Sequence, residues 1–245
     1  VGSIILHDIK QKCIVREGLS DVQFALYMLR IPPKDTVERI KAMNNDYTFL
    51  LGWMLLKPEH QEWMRPRVPQ PLLSASSCIC GVRPDCEDWY AEEKELSAFV
   101  LPHQCNAEGN FIFLATVDSA VGMNERWLGG TFTPAGLALR PETADRFNDM
   151  LLKNNASGNL NAPLQPQPLT GRERLLGYEV LSYSYGWCSY LCSPLEDRLL
   201  DNFGGRLNEH GLITDGDVAE RFAEACAANG WGEPGFRFAC ALFGI

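Results

Sequence analysis

The ordered change of period between Gly177 and Phe243 constrains this chain more than any other feature of it. Gly177 to Tyr185 (GYEVLSYSY) alternates in the manner of a strand. Pro194 then stands where a helix can open, because its missing amide is not needed in a first turn, and Leu195, Leu199, Leu200 and Phe203 follow at helical spacing up to Gly204-Gly205. Thr214 or Asp215 offers a side-chain oxygen to cap a second helix that carries Val218, Phe222 and Cys226 and stops at Asn229-Gly230. Phe236 to Phe243 (FRFACALF) closes the series as a strand. These elements must bury their apolar faces on one another, so 171–245 reads as a β-α-α-β module of roughly seventy residues, near the lower limit of what folds alone.

Upstream of the module the stretch Asn154 to Pro168 (NNASGNLNAPLQPQP) holds turn residues and almost no core formers. The expected organisation is an N-terminal α+β domain over 1–153, a linker or long loop over 154–170 and the C-terminal module over 171–245. Packing of the whole as one domain is the alternative. Within the first part, Val22, Ala25, Leu26 and Leu29 put one apolar face on a helix from Ser20 to the Pro32-Pro33 break, and a second helix opens at Asp35 and runs through Val37, Ile40 and Met43. Tyr47 to Leu56 is apolar throughout and fits either a buried helix or a strand, with Trp53 and Trp63 read as core or seam residues. Pro58, Pro66, Pro69, Pro71 and Pro84 mark irregular chain. Phe111 to Val117 (FIFLATV) and Gly136 to Leu139 read as strands, and Pro141 opens a helix bearing Ala144, Phe147, Met150 and Leu151. The fold class is therefore α+β, with a helical N-terminal part, a mixed α/β middle and the C-terminal module.

Composition then narrows the partners. A hydrophobic fraction of 46% and a charged fraction of 22% belong to a folding chain rather than a disordered one. With 31 acidic and 22 basic residues the formal charge is -9, which repels phosphate backbones and anionic lipid, so nucleic acid and membrane are not the expected partners. Nine cysteines, an odd number, suit reduced thiols in a cytosol better than a disulfide framework. The apolar run Ile4 to Leu6 is too short for a secretory leader, and a cytoplasmic chain is the expectation.

Thiols supply the nearest approach to chemistry. Cys78, Cys80 and Cys86, with His103 and Cys105 downstream, have zinc-donor atoms, but the CxC spacing departs from the CxxC knuckles of structural zinc sites. Cys188 and Cys192 would share a face if helical, and either forms a conceivable dyad with His210, although His210 lies in what reads as a turn, Asn208-Glu209-His210-Gly211. Neither Gly129-Gly130 nor Gly204-Gly205 has the spacing or lysine of a phosphate cradle, and neither Ser20 nor Ser189 lies in a GxSxG elbow. No catalytic set and no cofactor is expected, with a thiol- or zinc-dependent enzyme kept as the alternative.

The acidic residues are not evenly spread. Asp85, Glu87, Asp88, Glu92, Glu93 and Glu95 surround the aromatic pair Trp89-Tyr90 with Lys94 as the one counter-charge, and Glu196, Asp197 and Asp201 begin a second set in the module. Aromatic anchors ringed by acid would steer and seat a basic protein partner. The plainer reading of each set is the wet side of an amphipathic helix.

The module's residues also carry a resemblance. Leu176-Gly177-Tyr178-Glu179-Val180, Cys188-Ser189-Tyr190-Leu191-Cys192 and Leu207-Asn208-Glu209-His210-Gly211-Leu212-Ile213, followed by an aromatic strand, resemble bacterial immunity-type proteins that accompany polymorphic toxins. The resemblance covers 171–245 alone. It implies a cytoplasmic, non-enzymatic inhibitor that neutralises a cognate toxin or effector, such as one delivered by a type VI secretion system, and a basic toxin would suit the charge. A regulatory adaptor with an unrelated partner fits the same residues.

Overall fold

The computed structural model describes residues 46–76, 79, 116–154, 167, 169, 172–184 and 187–245. Among them five strands form one antiparallel sheet in the order β1-β2-β5-β3-β4: β1 (Phe49–Leu56), β2 (Thr133–Leu139), β3 (Arg174–Tyr183), β4 (Trp187–Ser189) and β5 (Phe236–Gly244). Three α-helices accompany them, α1 (Val117–Leu128), α2 (Pro141–Asn154) and α3 (Gly216–Asn229). The chain is thus mixed α+β. The helices expected at Ser20 and Asp35, and Phe111 to Ala115 of the expected FIFLATV strand, lie outside the described residues.

The sheet is covered on both faces, which explains why β1 reads as an apolar run rather than an alternating one. On β5, Ala239, Ala241 and Phe243 join one core with Val117, Ala120 and Met123 of α1 and Val218, Ala219 and Phe222 of α3. Phe238, Cys240 and Leu242 face the other core, where α2 contributes Ala144 and Phe147. Phe147 sits 5.5 Å from the Trp187 ring and 5.6 Å from that of Phe238, in offset geometries that aromatic quadrupoles favour. The same double burial resolves Tyr47 to Leu56: Leu50, Trp53 and Leu55 point to the first core, Leu51, Met54 and Leu56 to the second, with a register break between Leu50 and Gly52.

Caps account for the helix ends. Asp215 accepts from the amides of Asp217 and Val218, so Asp215 rather than Thr214 begins α3, and Gly230 in the left-handed region ends it. Thr116 caps α1 by accepting from the Ser119 amide, so Val117 starts a helix and is not the end of a strand. Pro141 opens α2 as its missing donor allows.

One difference from expectation and one open point fall inside 171–245. A 3-10 turn, Tyr190–Cys192, lies ahead of Pro194, and the helix expected from Pro194 is a shorter π-type turn, Arg198–Asn202. It ends at Gly204 (φ 64°), after which the Gly205 amide returns to the Leu199 carbonyl at 3.1 Å. The Cys188 region, which the sequence left open, is the short strand β4, paired Leu181 to Ser189 and Tyr183 to Trp187 with β3, so Cys188 and Cys192 do not share a helix. Trp187 takes a strand geometry because its indole belongs in the Phe147 aromatic group.

Strands from both sides of 154–170 share this sheet, through the β2–β5 pairing of Gly136 with Phe243 and Ala138 with Ala241. Gln167 touches the outer edge of β1, its amide donating to the Leu50 carbonyl at 3.1 Å. Among the described residues no helix is long and apolar enough to cross a membrane.

Candidate functional site

Prolines at 58, 66, 69 and 71 exclude a regular element after β1, and the chain makes instead a closed surface loop. Its base is the two-way pairing of Glu59 with Leu72, amide to carbonyl at 3.1 and 2.8 Å. Met64, Val68 and Leu72 turn inward to the core. Gln61 and Gln70 tie the two limbs: the Gln61 amide donates to Gln70 Oε1 at 2.7 Å, and Gln70 Nε2 returns to the Gln61 carbonyl at 3.1 Å.

The loop presents Trp63, which is 53% exposed, to solvent. This corrects its reading as a core or seam residue: turns at 62–63 and 66–67 aim the indole outward, and its Nε1 donates to Gln61 Oε1 at 2.9 Å. Ile245 is the other large apolar residue exposed among those described.

Two arginines bind the loop to the 196–201 segment. Arg65 Nε lies 2.9 Å from Glu196 Oε1, and its Nη1 pairs with Asp197. Arg67 reaches Asp197 at 3.0 Å and grips Asp201 as a fork, at 2.7 and 3.1 Å. The hydrogen bond to Asp201 raises the Arg67 pKa, and that from Arg67 holds the Asp201 carboxyl below its usual range. The outer pairs are about half exposed and contribute little stability each, so their effect is to fix geometry. Glu196 differs in being only 1% exposed.

The structure groups Glu196, Asp197 and Asp201 around Arg65 and Arg67, and these arginines and Trp63 are residues that sequence reasoning missed. The available signal was Arg65-Pro66-Arg67, a basic pair in an acidic chain, two residues beyond a tryptophan. The other candidate anchors, Asp85, Glu87, Asp88, Trp89, Tyr90, Glu92, Glu93 and Glu95, lie outside the described residues, as do Cys78, Cys80, Cys86, His103 and Cys105. Among the described residues no group of three or more His, Cys, Asp or Glu has the geometry to hold a metal ion.

The remaining thiols and histidine stand in structural settings. Cys188 lines a shallow cleft with Cys226, Tyr190 and Trp231, and His210 is not part of its lining. Cys192 Sγ lies 3.3 Å from Ser76 Oγ. His210 is held in a turn organised by Asn208, whose Oδ1 accepts from the amides of His210 and Leu212 at 3.0 Å each.

A buried carboxyl completes the picture. Glu179 on β3 is 1% exposed, accepts from the Ser74 hydroxyl and takes the Ala75 amide at 2.8 Å. Burial pushes its pKa up against the pull of these hydrogen bonds. Nearby, the Tyr190 phenol is pushed up by burial and then by the charges of Glu179 and Glu196. No family model, curated protein or solved structure matches this chain.

Proposed function

We propose that this chain is an immunity-type protein, which binds and neutralises a cognate bacterial toxin or effector in the cytoplasm and catalyses no reaction of its own. The observation that carries the reading is Trp63, exposed on a loop that Arg65 and Arg67 hold in one geometry. A tryptophan kept out of a core that has room for many aromatics costs apolar burial, and a rigid indole flanked by arginines is the composition of a binding hot spot. Bracing lowers the ordering cost of docking, because the loop has little freedom left to lose. The resemblance across 171–245 supplies the finer part of the proposal, the toxin as partner, and the charge of -9 favours a basic one.

The direct test is co-expression with the protein encoded beside it. Growth should be rescued, and a complex should co-purify whose affinity falls about 10- to 100-fold in Trp63→Ala, the ordinary loss for a central aromatic anchor. No complex and no rescue would sink the proposal, and a complex indifferent to Trp63→Ala would move the interface elsewhere, with charge reversal at Glu92 and Glu93 the next variant.

A further inference from the structure

Glu196 is satisfied on one side only. Its Oε1 takes Arg65 Nε, while Oε2 is buried with no hydrogen-bond partner among the described residues. An orphaned oxygen on a carboxylate only 1% exposed is costly, and such groups in folded proteins usually have a partner.

Arg65 fills the place incompletely. A guanidinium matches a carboxylate best as a fork, two parallel N–H groups on two oxygens, whereas Arg65 divides its donors between Glu196 and the surface residue Asp197. We infer that Glu196 forms a guanidinium-accepting pocket, in which Arg65 is an internal stand-in that an arginine of a partner protein displaces. On displacement Arg65 keeps Asp197, and the incoming fork takes both oxygens of Glu196. The choice of a protein arginine as occupant rests on the function proposed above; the pocket itself does not.

Methylguanidinium is the probe, and thermal unfolding is the readout. Arg65→Ala should lower the Tm by stranding the Glu196 carboxylate. Millimolar methylguanidinium chloride should restore part of that loss, through binding to the folded state, where sodium chloride and methylammonium chloride at equal ionic strength do not. The gain should be absent in wild type, in Arg65→Ala/Glu196→Gln and in Arg67→Ala, whose fork to Asp201 lies at the surface. Equal effects of the three salts, or a gain that survives Glu196→Gln, would overturn the pocket. Should Arg65→Ala not fold in buffer, folding with methylguanidinium but not methylammonium supports the inference, and failure in both overturns it. None of these measurements uses the partner, so failed rescue removes the pocket alone, whereas rescue without any partner complex leaves the pocket and removes the immunity reading.

Discussion

The Tyr47 hydroxyl donates to Glu220 Oε1 across 3.1 Å, joining the chain two residues ahead of β1 to the second turn of α3. Arg140 caps the pair, with its guanidinium 5.1 Å above the Tyr47 ring and its Nε 3.4 Å from the same Glu220 oxygen. Burial pushes the Tyr47 phenol well up, so it stays a donor at any working pH. Tyr47→Phe should cost about 1–2 kcal/mol in urea unfolding, the loss of a hydrogen bond to a charged acceptor. A cost near zero would mean that water replaces the phenol at Glu220.

Glu179 should make stability fall as pH rises. Its folded pKa lies above its unfolded value, because burial outweighs the hydrogen bonds from Ser74 and Ala75. Its contribution is therefore complete below the unfolded carboxylate range and is lost as pH rises through the folded value, at most about 1.4 kcal/mol per pH unit. Unfolding of wild type and Glu179→Gln across a pH series isolates this term. The wild-type advantage should shrink upward from the carboxylate range; a constant gap would show that Glu179 does not titrate there.

Gly177 should tolerate no side chain. It sits at the register break between Leu175 and Gly177 of β3 with φ 151°, and a Cβ there would stand 2.6 Å from the Leu212 Cβ. Gly177→Ala should cost about 1–3 kcal/mol through strain and overpacking. Gly122 in the middle of α1 is the contrast, since a Cβ meets nothing within 4 Å, and Gly122→Ala should stabilise by about 0.5–1 kcal/mol. Paired denaturation curves measure both.

The buried thiols should be inert. Burial raises Cys226 to about 11 and Cys240 well above the usual thiol value, and the thiolate is the reactive form. Peptide mass mapping after iodoacetamide treatment of the folded protein should find both unmodified, and denaturant should expose them. Rapid labelling of Cys240 in the native state would contradict its place between β3 and α2.

What the sequence disclosed follows the range of the forces involved. β5, α2 and α3 were legible because period, cap and stop all lie within their own residues, as with Asp215 and Gly230 around α3. β1 was ambiguous because both its faces are covered, which removes the alternation that identifies a strand. β4 escaped because Trp187 takes its conformation from Phe147, forty positions earlier. The grouping of acids at Glu196, Asp197 and Asp201 was visible as composition, but the partners that organise it, Arg65 and Arg67, come from a loop some 130 positions away. Trp63 was misplaced for a related reason: tryptophan is usually buried, and only the outward turn of the loop reverses that.

The sheet order has a consequence for synthesis. β5 is last in sequence and central in space, flanked by β2 on one side and β3 on the other. Until it leaves the ribosome, the β1–β2 pair and the β3–β4 pair share no strand, and each waits with an open edge of unpaired amides and carbonyls. Assembly of this sheet thus waits on β5 and is dominated by distant contacts, and it gives chaperones a defined interval in which to bind.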